Sequence, residues 1–307
     1  MSTLDISLRS RLTTDFSDRV RFDEPMARHT SWHVGGPADL YFEPRDRTDL
    51  VGFLAAVPQH MPLHWVGLGS NLLVRDGGVR GAVIALHGAL AALERRADGE
   101  VWCEAGVPCA RIARQCARWG LRDAHFFAGI PGTLGGALAM NAGAFGGETW
   151  RHVRSVEVID RRGHVRTRDA CEYRTGYRHV EPPVAGEAYL AATLYFSERA
   201  DDAAAQDDIR ELLVKRRESQ PIGEWSCGSV FTNPPGEHAA RLIDRAGMKG
   251  FRIGGACVSE KHANFILNDG AASATDLERL IVTVQDAVEQ KFGIRLVPEV
   301  RMIGEVV

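Results

Sequence analysis

Several residues of this 307-residue chain sit in settings where their chemistry stands out. Glu299, within Leu296-Val297-Pro298-Glu299-Val300-Arg301, is a carboxylate in an apolar segment near the C-terminus. Such a charge needs a partner, either Arg301, another base or a ligand. Ser229 follows Gly228, and glycine lets a ligand approach the backbone. On its own the pair reads as a strand-end serine packed after a glycine. Cys227 lies two residues earlier and shares Ser229's face if the segment is extended, where it reads as packing. The segment Glu172-Tyr173-Arg174-Thr175-Gly176-Tyr177-Arg178-His179-Val180 carries Tyr-Arg twice. A guanidinium stays charged and grips a carboxylate through two parallel hydrogen bonds. Lys215-Arg216-Arg217 precedes Ser219-Gln220-Pro221 and reads first as a solvated helix end that complements the helix dipole.

Glycine is the compositional outlier, at 32 of 307 residues, or about 10% against the usual 7% or so. Residues 67–81 hold five of these and residues 129–147 hold seven. The first window, Gly67-Leu68-Gly69-Ser70-Asn71-Leu72-Leu73-Val74, begins like a dinucleotide fingerprint. It then places Leu72 at the third glycine position and runs into a strand, which disfavours a Rossmann nicotinamide site. Consecutive small residues nonetheless expose backbone N–H groups that suit an anion. The second window runs from Gly129-Ile130-Pro131-Gly132-Thr133-Leu134-Gly135-Gly136 to Ala139-Met140-Asn141. Gly135-Gly136 opens a short helix whose N-terminus suits a pyrophosphate. The competing reading of both windows is tight turns and close packing of elements.

No metal site is expected. His29/His33 and His60/His64 are each four apart, but the first pair brackets a non-helical run and Pro62 interrupts the second. The six cysteines show no CxxC, and with no signal-peptide pattern at the N-terminus they read as reduced thiols of a cytoplasmic protein. A net charge of −3 argues against nucleic acid, and no apolar run approaches the roughly 20 residues of a membrane span.

The elements that must position these residues read as α+β. A loose polar arm of about 20 residues comes first. A helix capped by Thr48-Asp49 follows, with strands at 63–66, 71–74 and 82–86. A second region has strands at 101–107, 153–159 and 188–196 and a helix starting near Cys109. Beyond about Asp201, helices are expected around Ile209–Leu213, at 237–246, and from a Thr275-x-x-Glu278 capping box to Gly293, before a strand at 295–303. Three domains follow from this pattern, at 1–87, 88–200 and 201–307.

Ordered motifs carry a resemblance. Thr30-Ser31-Trp32-His33-Val34-Gly35-Gly36, the two glycine windows, Cys227-Gly228-Ser229-Val230-Phe231-Thr232-Asn233-Pro234, Gly254–Phe265 and Pro298-Glu299-Val300-Arg301 are together similar to the UDP-N-acetylenolpyruvoylglucosamine reductases, the MurB family. The resemblance covers residues 28–304 or so. It implies a two-part FAD-binding region of the vanillyl-alcohol-oxidase type and a C-terminal α+β domain for the UDP-sugar. It also implies reduction of an enolpyruvyl ether with NADPH through FAD, in peptidoglycan precursor synthesis, with no nucleic-acid or membrane partner.

By the same resemblance Ser229 protonates the substrate's α-carbon and Glu299 polarises its carboxylate. The family's Tyr-Arg is followed by one variable residue and then Ser. Arg174 meets Gly176 at that place and Arg178 meets Val180, so Arg174 is preferred because Gly is small. The cofactor-binding expectation covers Gly67, Gly69, Ser70, Asn71, Gly129, Pro131, Gly132, Gly135, Gly136 and Ala139. Arg174, Lys215, Arg217 and Asn233 are expected to contact the substrate, with His262 and Asn264 as further polar candidates. About 40 residues separate Arg174 from Lys215, so the chain is of the shorter type, without the loop whose tyrosine covers the substrate. An FAD oxidase of the same fold and a non-catalytic nucleotide-sugar binder are the rival readings.

Overall fold

The amino-terminal residues are not the loose arm that their polarity predicts. In the computed structural model, which describes residues 5–121, 123–198 and 203–307, helix α1 spans Ile6–Phe16. Leu8, Leu12 and Phe16 recur at four-residue spacing and are buried, and Phe16 meets Phe42 and Phe53 edge-on. Three buried apolar side chains per three turns outweigh the surrounding polarity.

The first unit continues with β1 (Val20–Pro25), β2 (Pro37–Phe42), α2 (Arg47–Ala56), β3 (Leu63–Val66), β4 (Leu72–Val74) and β5 (Val79–Ala85). Its sheet has the order β1-β2-β5-β3, and the β2/β5 and β3/β5 pairs are parallel. Both central strands are nearly continuous buried runs, as parallel strands covered on two faces require. The cap of α2 is Asp46, which accepts from the Asp49 N–H at 2.9 Å, rather than Thr48-Asp49.

The second unit holds β6 (Leu93–Arg95), β7 (Glu100–Glu104), α3 (Cys109–Arg118), α4 (Leu134–Met140), a short ribbon of β8 (Gly143–Ala144) and β9 (Gly147–Glu148), β10 (Val153–Ile159), β11 (Val165–Asp169), the hairpin β12 (Arg174–Gly176) and β13 (His179–Glu181), and β14 (Ala188–Tyr195). Its main sheet is antiparallel, in the order β11-β10-β14-β7-β6. The expected domain boundary at 200–201 lies outside the described residues. Helix α5 (Ala203–Ser219) buries Ile209 in the core formed by α3, Phe127 and Leu194. By packing, then, α5 belongs with the second unit, against the expectation that it opens the third.

The third unit comprises α6 (Ala239–Arg245), the antiparallel strands β15 (Arg252–Ile253), β16 (Ala256–Val258) and β17 (Ile266–Asn268), α7 (Ala274–Phe292) and β18 (Arg301–Ile303). The expected terminal strand at 295–303 is confined to its last three residues. Helix α7 buries Leu277, Leu280, Ile281, Val284 and Val288, and ends at Gly293 as its periodicity predicts. Its capping box is Ser273 with Asp276, two residues before the expected one.

Thr275 and Glu278, the residues of that expected box, instead tie the third unit to the first. The Asp76 carboxylate accepts from the Ala274 and Thr275 N–H groups at 3.0 and 2.9 Å and from Thr275 Oγ1 at 2.7 Å. Arg75 grips Glu278 through Nε at 2.9 Å and Nη2 at 2.7 Å. Beside this clamp β4 pairs in parallel with β18. The Trp32 indole donates to Ile266 O at 2.8 Å, and Asn268 Nδ2 donates to Trp32 O at 2.7 Å. The loop between β3 and β4 is thereby held against the segment that leads into β18.

Candidate active site

The two glycine windows pack on each other. A Cβ at Gly67 would strike Thr133 Oγ1, and one at Gly69, whose φ is +63°, would strike the His29 carbonyl. Gly69 therefore answers both a left-handed backbone and a close approach. Its carbonyl accepts from the Ser31 N–H at 3.3 Å. His29 in turn lies between Glu24 (2.9 Å) and the Tyr41 hydroxyl (3.0 Å), which fixes the segment that carries Ser31. Close packing thus accounts for glycine at positions 67 and 69.

The open side of this junction is a cleft of about 200 Å³. Ser31, Ser70 and Pro131 line it from the glycine loops, Arg216 from the end of α5, and Cys227, Gly228 and Phe265 from the third unit. Gly228 has φ +83°, so the chain turns sharply there before Ser229. The next residue, Val230, donates its N–H to Asn264 O at 2.9 Å and accepts from the Glu299 N–H at 2.7 Å. Ser229 and Glu299 are thus brought to adjacent chain segments, joined by the Phe231–Pro298 bridge.

Glu299 is mostly buried, and its partner is Arg178, with Nε 2.9 Å from Oε1. Arg178 also donates to the Gly143 carbonyl at 2.8 Å. It occupies the tip of the β12–β13 hairpin at φ +54°, a region that L residues rarely adopt. Burial pushes the Glu299 carboxyl above the ordinary carboxylate range, and the Arg178 guanidinium only partly offsets that. Cys227 is buried next to this carboxylate, and both effects push its thiol well above the usual range. A thiol so raised is a poor nucleophile at neutral pH.

The preference for Arg174 is corrected by this geometry. Arg174 is 86% exposed and stands across the hairpin from Glu181, 3.8 Å away, and it does not meet Glu299. A two-residue turn between β12 and β13 delivers the later Tyr-Arg to the site, so Tyr177-Arg178 is the pair there. Tyr177 completes the contact, because its hydroxyl accepts from the Asn233 N–H at 3.4 Å. The pairing of Arg174, Thr175 and Gly176 with Glu181, Val180 and His179 places Arg178 at the hairpin tip, which residue type alone does not signal.

Of the basic run, Lys215 and Arg217 are exposed, whereas Arg216, not singled out by the sequence, lines the cleft. Its Nε donates to Gln220 at 2.8 Å, and among the described residues no carboxylate pairs with it. Asn233 Oδ1 accepts from the Ala239 N–H at the start of α6, which leaves its amide N–H groups for other partners. Asn264 is buried and both ends of its amide bond Phe231, at 3.0 and 2.8 Å, so it braces the Ser229 segment. His262 packs its ring on Phe265, and its Nδ1 is buried without a hydrogen-bond partner.

The cofactor expectation divides in the same way. Gly129 packs on Ala144 and Phe145, and the Gly135 N–H is spent on Ala105 O at 2.8 Å. Asn71 uses its side-chain amide on Glu299 O (3.0 Å) and Met140 Sδ (3.4 Å). Gly132 and Gly136 differ: a Cβ there would meet nothing closer than 3.5 and 4.0 Å. Ser70 and Pro131 stand in the cleft wall and Ala139 is exposed one turn after Gly136, so the side chains near these open glycines are small. Open glycines among small side chains fit a flat, anionic dinucleotide held by backbone groups.

Comparisons with known proteins identify the families that the two parts of the chain resemble. A family of "FAD binding domain" sequences matches residues 38–168, and the family "UDP-N-acetylenolpyruvoylglucosamine reductase, C-terminal domain" matches residues 220–303. The UDP-N-acetylenolpyruvoylglucosamine reductase of Alkalilimnicola ehrlichii is 58% identical over 287 residues, covering 93% of this chain and 95% of that protein. The enzyme of the same name from Nitrosococcus oceani is 55% identical over 286 residues, with 93% and 95% coverage. Among solved structures, the UDP-N-acetylenolpyruvylglucosamine reductase of Thermus caldophilus matches with a TM-score of 0.78 and 34% identity, covering 91% of this chain and 97% of that one.

Proposed function

Because this chain belongs to the UDP-N-acetylenolpyruvoylglucosamine reductase family, an FAD-containing group of oxidoreductases, we propose that it reduces the enolpyruvyl ether of UDP-N-acetylglucosamine to the lactyl ether of UDP-N-acetylmuramate with NADPH. The product is a peptidoglycan precursor. The six unpaired cysteines suit a reducing cytoplasm. Ser70, Pro131, Gly132, Gly136 and Ala139 would hold FAD, which when bound would supply the hydride chemistry between NADPH and the enolpyruvyl carbon.

The observation that carries this reading is the buried Arg178–Glu299 pair, whose Glu299 backbone bonds the segment that runs from Gly228 in the cleft wall through Ser229 to Val230. Hydride addition to the terminal carbon leaves negative charge that spreads onto the substrate carboxylate. Arg178 stabilises that charge with a fixed cation. Burial raises the Glu299 pKa, which favours the protonated form as a hydrogen-bond donor to that carboxylate over a second negative charge. Ser229 then delivers its proton to the α-carbon, a transfer the basic enolate can drive from a weak acid if the hydroxyl is well placed. Arg216 and the free amide N–H groups of Asn233 bind the diphosphate end of the substrate.

Spectroscopy separates the two half-reactions. The purified protein should be yellow and lose its visible flavin absorbance on addition of NADPH. Ser229→Ala should bleach at the parent rate but fail to recover colour when the enolpyruvyl sugar is added. A colourless protein that FAD does not reconstitute, or a Ser229→Ala variant that turns over normally, would reject the corresponding part of the proposal.

A further inference from the structure

Asn71 lies at the end of the first glycine loop, one residue after Ser70 in the cleft wall. Its side chain faces away from that wall and into the protein. One amide N–H goes to the backbone carbonyl of Glu299 at 3.0 Å and the other points to Met140 Sδ at 3.4 Å. Its own backbone carbonyl accepts from the Arg301 N–H at 3.0 Å. A single residue therefore bonds the chain both at Glu299 and two residues beyond it, just before β4 and β18 pair. The opposite edge of Glu299 is held through its N–H to Val230 O, which the Val300 N–H also approaches at 3.4 Å. An amide whose two protons are already committed has none left for a phosphate.

We propose that Asn71 is a positioning residue: it registers the Glu299 backbone against the loop that carries Ser70, so that the position of the carboxylate is set by the cofactor loop itself. The inference rests on the role proposed for Glu299. It assigns the Asn71 side chain to the carboxylate and removes that side chain from the donors that hold FAD. Displacing a reacting group by about 1 Å costs on the order of 100-fold in rate, so loss of this bond should weaken the step that needs Glu299 and spare the others.

The test compares Asn71→Ala and the isosteric Asn71→Asp, each alone and combined with Glu299→Gln. FAD affinity of the stripped protein is read by fluorescence quenching. Bleaching by NADPH and recovery of colour with the enolpyruvyl sugar are followed by stopped flow. Expected for Asn71→Ala are FAD affinity and bleaching within about threefold of the parent, recovery slowed about 10- to 100-fold, and no further slowing when it is added to Glu299→Gln. Asn71→Asp keeps the shape and loses the donor, so it should match Asn71→Ala if the latter folds poorly. Loss of FAD affinity in Asn71→Asp, parent-rate recovery, or slowing that multiplies with that of Glu299→Gln would each overturn the proposal. Glu299→Gln alone separates the two layers: if it recovers at the parent rate, the role of the carboxylate itself falls, and Asn71 with it.

Discussion

Arg178 Nε stands 2.9 Å from Glu299 Oε1, and this ion pair joins a hairpin tip of the second unit to the last segment of the third. Removing one member leaves the other buried and uncompensated, which is costlier than losing an exposed pair. Arg178→Ala should therefore lower turnover of the enolpyruvyl sugar by about 100- to 1000-fold, in the range of other single-donor deletions at developing negative charge. Arg174→Ala should stay within about twofold, since an exposed pair contributes little. Steady-state rates for the two purified variants decide the assignment, and a loss confined to Arg174→Ala would reverse it.

The same pair makes a pH prediction. The folded-state pKa of Glu299 is raised above its ordinary value, so between the two values the native state holds a proton that the unfolded state has released. The contribution of this group to stability is therefore fully present below the ordinary carboxylate pKa and is lost as pH rises through the raised one. Glu299→Gln mimics the protonated form. Its Tm relative to the parent should rise between pH 4 and pH 7, as measured by thermal melts across that range. A difference that falls with pH would mean that Arg178 outweighs burial and holds the carboxyl low.

Much of this architecture is legible from side-chain period and punctuation. The face of α7 from Leu277 to Val288, the stop at Gly293 and the strands at 63–66 and 153–159 depend on local pattern alone. The ordered motifs likewise bring Ser229 and Glu299 to one place. What is not legible depends on distant partners. Thr275-x-x-Glu278 has the form of a capping box, yet its side chains serve Asp76 and Arg75, about 200 residues away in sequence. That Gly67 and Gly69 leave no room for a Cβ is visible only once the Thr133 and His29 atoms against them are known. The choice between Arg174 and Arg178 turns on a two-residue hairpin turn with a left-handed arginine, which residue type does not announce. Leu8, Leu12 and Phe16 did carry the period of α1, but polar neighbours obscured it.

Arg216 makes a prediction that distinguishes it from its neighbours in the basic run. It lines the cleft, burial draws its guanidinium pKa down, and Gln220 is its side-chain partner. Holding a cation partly out of water without a carboxylate has a cost that an anionic ligand would relieve. Arg216→Gln should raise KM for the UDP-sugar about tenfold, the effect of losing one charge-assisted contact of about 1.4 kcal/mol, with a smaller change in kcat. Lys215→Ala and Arg217→Ala, whose side chains are exposed, should each change KM by less than about twofold. Initial rates over a substrate series at two salt concentrations provide the comparison. Equal effects of all three substitutions would indicate a diffuse basic surface instead of one placed contact.

Asp76 supplies the last prediction, about how the third unit is held. Its carboxylate accepts three hydrogen bonds from the first turn of α7, an N-terminal cap provided by another part of the fold. Burial would raise its pKa, but the Thr275 and Ala274 donors prevail and hold it below the ordinary carboxylate range. A depressed folded-state pKa gives stability that is present above the unfolded value and is lost as pH falls through the folded one. Asp76→Ala should therefore cost about 2 kcal/mol near pH 7, from the lost cap and the N–H groups left unpaired. The gap to the parent should narrow as the buffer is taken toward pH 3. Urea unfolding at pH 7 and pH 3.5, followed by tryptophan fluorescence, measures both numbers. Because Arg75–Glu278 and the β4–β18 pairing remain, the variant should still fold and bleach with NADPH. An unchanged midpoint at pH 7 would show that Ser273 alone caps α7 and that the first and third units are joined elsewhere.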